Sequence, residues 1–152
     1  MERTSKGSRE RVVSQFGGGK GGPKSLVIWV CVDELFRTDG TATWLVDIRD
    51  LPELRGLGPM INRLRVHYEA ESAGANFKGR MTMAWSVSGR IWSTPVEILA
   101  PQTGPLQVIG AWYTTDGNFG LNLRAAVEVA NAAGAALESG RLTIAIEVEL
   151  KS

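Results

Sequence analysis

Runs in which apolar and polar residues alternate fill most of the chain after residue 24. A period of two is the pattern of a β-strand with one buried and one exposed face. The clearest examples are Gly79–Ser88 (GRMTMAWSVS) and Arg141–Leu150 (RLTIAIEVEL), and turn-forming Gly, Pro, Asn and Asp residues separate the runs. The pattern therefore predicts a chain of strands with very little helix.

About eight strands are predicted in this way. They span Ser25–Phe36, Thr41–Asp50, Met60–Glu71, Gly79–Ser88, Pro95–Leu99, Leu106–Thr114, Leu121–Asn131 and Arg141–Leu150. The alanines of Leu121–Asn131 also permit a helix, but its apolar residues recur at every second position and favour a strand. A single helical turn is predicted at Leu51–Leu57. The whole indicates an all-β antiparallel sandwich, for which jelly-roll, immunoglobulin-like and lectin-like topologies all fit.

The N-terminal segment differs from the rest of the chain in charge and flexibility. Residues 1–24 carry a net charge of +4, whereas the remaining residues carry −3. The sequence GGGKGGP at residues 17–23 has too few side chains to offset the entropy of a fixed path, so it predicts a hinge. We therefore divide the chain of 152 residues into a flexible basic arm with its hinge at 1–24 and one folded domain at 25–152.

The basic residues of the arm indicate a polyanionic partner. Lys and Arg on a flexible segment bind nucleic acid by releasing its counterions, and many arms on one shell make up for weak single contacts. We take these residues as candidate RNA-binding residues: Arg3, Lys6, Arg9, Arg11, Lys20 and Lys24. The alternative is a tail that only increases solubility.

No arrangement of residues indicates an enzyme. Cys31 and His67 are the only residues of their types, which argues against a disulfide, a structural zinc site and a nucleophile–histidine pair. Carboxylates two apart recur on the strands at Glu69/Glu71 and Glu147/Glu149, where a solvated strand face is the favoured interpretation. The glycine cluster lacks the GxxxxGK[ST] pattern of a phosphate loop. The apolar runs are far below the ~20 residues of a membrane span, and no targeting segment is visible.

Asp47 and Asp50 form a candidate cation site at the end of the second predicted strand. Two carboxylates three residues apart supply oxygen ligands for Ca²⁺ if further oxygens come from a partner. Local turn bonding or pairing with Arg49 and Arg55 explains the same residues, so both interpretations stay open.

The order of these features resembles the shell domain of small icosahedral positive-strand RNA virus coat proteins: tombusvirus-like, sobemovirus-like and plant satellite viruses. The basic, glycine-bearing arm is similar to their RNA-binding arm. The other matching passages are the connection from Asp50-Leu51-Pro52 to Asn62-Arg63-Leu64-Arg65-Val66, the strand Lys78–Trp85, and the closing segment Ser139–Leu150.

The resemblance implies a non-enzymatic capsid protein. Its fold would be an eight-stranded jelly roll, with strands B to I in BIDG and CHEF sheets, that self-assembles into an icosahedral shell. The arm would bind single-stranded RNA, and Asp47 and Asp50 would match carboxylates that hold Ca²⁺ between subunits. The virion, assembled in the host cytoplasm, would be its location, with no membrane partner.

A carbohydrate-binding or lectin-like β-sandwich is the alternative function. Such modules stack sugars on exposed tryptophans. The chain has five: Trp29, Trp44, Trp85, Trp92 and Trp112. Their positions within predicted strands favour burial for most of them, and Trp92, in a loop, is the best candidate for exposure. A phage decoration protein would share the assembly role but would not need the arm.

Overall fold

The structure is a computed structural model, which describes residues 2–4, 13–17, 24–38, 43–48, 56–71, 77–114, 120–131 and 138–151. These ranges contain ten strands: β1 Glu2–Thr4, β2 Val13–Gly17, β3 Lys24–Thr38, β4 Thr43–Ile48, β5 Ile61–Glu71, β6 Lys78–Ser86, β7 Val96–Thr103, β8 Leu106–Ile109, β9 Asn122–Ala130 and β10 Glu138–Leu150. A 3₁₀ turn at Gly58–Met60 precedes β5. Within the same ranges, no helix is long and apolar enough to cross a membrane.

The strands form two five-stranded sheets with jelly-roll connectivity. Their orders are β1-β4-β9-β6-β7 and β2-β3-β10-β5-β8. If β3 to β10 are lettered B to I, the two sheets contain C-H-E-F and B-I-D-G, each with one added edge strand. The pairings among these eight strands are all antiparallel. The predicted eight-stranded jelly roll is therefore confirmed, and the strand order selects it from the three topologies that the pattern left open.

The two added strands come from the segment predicted to be flexible. β1 pairs in parallel with β4, and β2 pairs antiparallel with β3. Residues 2–4 and 13–17 thus add to the open edges of β4 and β3, which offer unpaired backbone groups. Residues 18–23 lie outside the described residues. The hinge and the domain boundary at residue 24 therefore stay predictions.

Two of the predicted strands have clearly different bounds in the structure. β7 continues beyond Leu99 through Pro101. Proline has no N–H to donate, and an edge strand such as β7 tolerates it because the open side of the strand has no neighbour that needs a donor. The predicted strand Leu106–Thr114 is interrupted after β8, and its pairing resumes in a single bridge between Tyr113 and Leu64. Most of the predicted turn Leu51–Leu57 lies outside the described residues.

The core lies between the inner faces of the two sheets. Along β5 and β9, buried residues alternate with more exposed ones, as the period of two predicts. The side chains that are at most 1% exposed include Ile28, Val30, Leu64, Val66, Met81, Met83, Leu123, Val127, Val129, Leu142, Ile144, Ile146 and Val148. Burial of this apolar surface is the main source of stability of the sandwich.

One buried polar group weakens this core. Tyr68 on β5 is 2% exposed, its ring contacts the backbone at Gly79, and its hydroxyl has no hydrogen-bond partner among the described atoms. Burial, with a smaller contribution from the nearby Cys31, raises the pKa of Tyr68 to about 12. The protein therefore folds with a neutral, unsatisfied phenol inside.

We expect Tyr68→Phe to increase the free energy of unfolding by about 1 kcal/mol at neutral pH, because it removes an unsatisfied hydroxyl. The advantage should grow above pH 10. The unfolded phenol ionises there while the folded one resists ionisation to about pH 12, so only the wild type loses stability through this group. Urea unfolding at pH 7 and above pH 10 measures both effects, with Tyr113→Phe as the control. A less stable Tyr68→Phe protein would contradict the assignment.

Candidate functional site

The structure includes the backbone of two of the six candidate RNA-binding residues. Arg3 lies in β1 opposite Trp44 of β4, and Lys24 begins β3 opposite Gly17. Because β1 and β2 extend different sheets, the described parts of the arm follow the side of the sandwich where β3 and β4 lie. The other four predicted residues, Lys6, Arg9, Arg11 and Lys20, lie outside the described residues. The RNA-binding role of all six stays a prediction.

The calcium prediction is likewise untested. Asp47 lies in β4, where its backbone pairs opposite Ala126 of β9, and Asp50 is outside the described residues. Among the described side chains, no group of three or more His, Cys, Asp or Glu residues lies close enough to hold a metal ion.

A ladder of ion pairs crosses the outer face of the sheet that contains β5 and β10. The Arg63 Nη2 lies 3.1 Å from Glu149 Oε2, and the Arg65 Nε lies 2.8 Å from Glu147 Oε1. The His67 Nε2 lies 2.8 Å from the same Glu147 oxygen. Direct cross-strand neighbours make these pairs, since β5 and β10 place Arg65 opposite Glu147 and Arg63 opposite Glu149.

The ladder keeps both glutamates ionised. Partial burial alone raises the pKa of Glu147, but hydrogen bonds from Arg65 and His67 more than offset it and lower the pKa overall. The hydrogen bond from Arg63 lowers the pKa of Glu149. Two carboxylates that are both ionised and paired do not form an acid–base couple. This geometry supports the interpretation of Glu147 and Glu149 as a charged strand face.

Trp112 covers the end of this ladder. The Arg63 and Arg65 guanidinium carbons lie 4.1 and 4.2 Å from the centre of its ring, which places both cations in contact with the same aromatic ring. Trp112 occupies the interrupted stretch between β8 and the Tyr113 bridge. Its side chain thus lies against two arginines of the ion-pair ladder.

None of the four tryptophans whose side chains are described is fully buried or fully exposed. Trp29, Trp85, Trp92 and Trp112 are all half-buried, and Trp92 lies 4.4 Å from the Arg124 guanidinium. The pattern favours burial for most of the tryptophans, whereas the structure leaves Trp29 half-buried on the outer face of β3. The run SLVIWVCV is apolar on both faces, so its periodicity could not separate Trp29 from the buried Ile28 and Val30.

Trp29 begins a row of side chains that crosses four neighbouring strands. Trp29 of β3 lies opposite Ala145 of β10, Ala145 opposite His67 of β5, and His67 opposite Ile109 of β8. This row forms the middle of a surface cavity of about 900 Å³, which we call the groove. Ser25, Val27, Glu69, Gln107 and Glu147 also line it. Sequence analysis did not detect the groove, because only strand register brings these residues together.

A second surface lies at the end of the sandwich where three loops meet. Ser86, at the end of β6, is nearly buried: its carbonyl oxygen accepts from Leu121 N at 3.1 Å, and its hydroxyl accepts from Gly89 N at 2.8 Å. These bonds order the loop after β6, yet Val87 and Ile91 in that loop are 70% and 82% exposed. Met60 and Leu121, on the two loops that contact this one, are also exposed, and we call these four residues the end patch.

Comparison with known proteins adds to this description of the fold. No protein-family model and no curated protein matches the chain. Two structures of infectious bursal disease virus are similar at 9% identity, that of the Gx strain with a TM-score of 0.57 and that of the VP2 subviral particle with 0.55. Each covers 85% of this chain but only 32% and 33% of the viral chain, so this chain spans about a third of their length.

This likeness shows the fold and nothing beyond it. The chain has an all-β jelly roll like that of a viral capsid protein. A carbohydrate-binding module, TmCBM61 in complex with β-1,4-galactotriose, is 14% identical over 90% of this chain and 86% of its own, with a TM-score of 0.40 that is too low to support an argument.

Proposed function

We propose that this chain is a viral coat protein whose jelly roll assembles with copies of itself into a closed icosahedral shell. The BIDG and CHEF strand order carries the proposal, because the same fold occurs in the chains of a virus and of a subviral particle. The sequence resemblance to single-jelly-roll shells of small positive-strand RNA viruses supports it independently. The protein works by assembly and not by turnover.

The end patch supplies a suitable contact for assembly. Large apolar side chains that cluster on the surface of a monomer mark an interaction site, whereas single exposed ones do not. Val87 and Ile91 project from a loop that hydrogen bonds hold in place, so little entropy is lost when they are buried. We infer that contacts between subunits bury this patch.

The basic arm binds the RNA that the shell encloses. Six basic residues in each arm, repeated over many subunits, neutralise phosphates of single-stranded RNA without reading its sequence. The strands β1 and β2 anchor parts of the arm along one side of the sandwich. The virion, assembled in the host cytoplasm, is the proposed location, and Ca²⁺ at Asp47 and Asp50 is a proposed cofactor of subunit contacts.

Purified full-length protein should form megadalton particles with a closed outline in negative stain. Their ratio of absorbance at 260 nm to that at 280 nm should exceed the value of protein alone, because RNA is enclosed. Size-exclusion chromatography and electron microscopy measure these properties. A stable monomer that carries no nucleic acid would contradict the proposal and favour a binding module.

The same measurements on Ile91→Asp test whether the end patch is a contact between subunits. Burying a new carboxylate between subunits is costly, so particles should be replaced by folded small species with an unchanged circular dichroism spectrum. Val32→Asp is the matched control: Val32 is an exposed apolar residue on β3, outside the end patch. Equal loss of particles in both variants would count against the end patch as the contact.

A further inference from the structure

We propose that the groove on the outer face of the β2-β3-β10-β5-β8 sheet binds a neutral saccharide. The inference goes beyond shell assembly and does not depend on it. It rests on the shape of the groove, on the side chains that line it and on their charges.

The groove owes its shape to one small residue that lies between two large ones. Ala145 lies between Trp29 and His67 in the row that crosses the sheet. Neighbouring strands are about 4.8 Å apart, so the two rings rise on either side of a hollow roughly 10 Å wide. Ile109 closes the far end of the row. The cavity volume of about 900 Å³ falls within the range of small-molecule sites.

The lining of the groove combines an aromatic platform with a polar rim. Trp29 is half-buried, so it is held by packing while part of its ring faces the groove. The Gln107 amide, the Ser25 hydroxyl and the Glu69 carboxylate line the same space. A sugar ring presents C–H groups on its faces and hydroxyl groups around its edge. An aromatic floor with hydrogen-bonding groups around it matches both surfaces.

The charges in the groove select among ligand classes. Glu69 and Glu147 are the acidic residues of the lining, which also contains His67 and the neutral Tyr68 and, among the described residues, no Lys or Arg. Two carboxylates repel the phosphates of nucleic acid. Arg65 forms an ion pair with Glu147 and balances its charge. The Gln107 amide donates a hydrogen bond to Glu69. Carboxylates that are partly satisfied in this way accept hydrogen bonds from hydroxyl groups, so the groove favours a neutral, hydroxyl-rich ligand.

Isothermal titration calorimetry on the full chain, in its native assembly state, tests this inference. The probes are cellotriose, maltotriose, β-1,4-galactotriose and N,N′,N″-triacetylchitotriose, with a uridine decamer and hexalysine as probes of the other classes. We expect at least one trisaccharide to bind. Trp29→Ala should weaken that binding about tenfold or more through loss of stacking, and Ala145→Leu should block it by filling the hollow.

Trp92→Ala is the matched control, because it removes a half-buried tryptophan outside the groove and should leave binding unchanged. Circular dichroism and negative stain show whether each variant folds and assembles, which separates this test from the test of the shell. Two results would each overturn the inference: no trisaccharide binds at millimolar concentration, or Trp92→Ala weakens binding as much as Trp29→Ala. In the first case, loss of decamer or hexalysine binding in Trp29→Ala would assign the groove to that other ligand class.

Discussion

Particles of a variant with all six basic arm residues replaced by glutamine should contain little or no RNA. Each arm loses six phosphate contacts, which corresponds to a salt dependence of binding with a logarithmic slope of roughly −4 for single-stranded nucleic acid. Because glutamine retains its backbone donor and acceptor, the pairing of β1 with β4 and of β2 with β3 should persist. Deleting residues 1–24 would remove both strands, so substitution is the cleaner test of charge.

The absorbance ratio of the purified particles measures this loss, and gel electrophoresis of extracted nucleic acid confirms it. A comparison of two variants with three substitutions each separates the effect of the arm from the effect of net charge. Lys6, Arg9 and Arg11 become glutamine in one variant, and the exposed Lys78, Arg90 and Lys151 of the folded domain become glutamine in the other. RNA should decrease in the first variant alone. Equal decreases would show that total charge, and not the arm, holds the RNA.

Gly58→Ala should produce the largest loss of stability of any single substitution proposed for this protein. Gly58 is buried in the 3₁₀ turn before β5, and a Cβ at this position would overlap the carbonyl oxygen of Gly120. The two loops are also joined by a hydrogen bond from Gly56 N to Leu121 O of 2.8 Å. Neither backbone can move without breaking that contact, so we expect a loss of about 3 kcal/mol.

Gly56→Ala is the matched control for this prediction. Gly56 has a φ of +78°, and no atom of the described residues lies within 4 Å of an added Cβ, so alanine there costs only the left-handed conformation, about 1–2 kcal/mol. Urea unfolding followed by circular dichroism compares the two variants. Equal losses would mean that the loops separate easily. Since these loops carry Met60 and Leu121, Gly58→Ala should also reduce particle formation through the end patch.

Much of the fold could be predicted because the alternation of apolar and polar residues within a strand shows which of its faces is buried. The alternation in Arg141–Leu150 corresponds to β10, and the ambiguous Leu121–Asn131 is a strand, β9, as its period of two indicated. Strand order is a different matter, since alternation shows which face is buried but not which strand lies beside it. The jelly roll was therefore one of three possibilities until the pairing of β3 with β10 and of β4 with β9 was known.

The two candidate sites also differ in how far the sequence reveals them. The arm was visible in the sequence because its charges and glycines are contiguous, so composition alone identified it. The groove was not visible, because Trp29, Ala145, His67 and Ile109 come from four strands and meet only through register. Trp29 also lies in a run that is apolar on both faces, which hides its outward position.

The all-β sandwich and the basic N-terminal segment could be recognised in the sequence, since alternation and charge are local properties that need no partner. The pairing of that segment with β3 and β4, the exposure of the end patch and the arrangement of side chains across the groove became known from the folded structure. These features depend on contacts between residues far apart in the chain. No short stretch of sequence contains them.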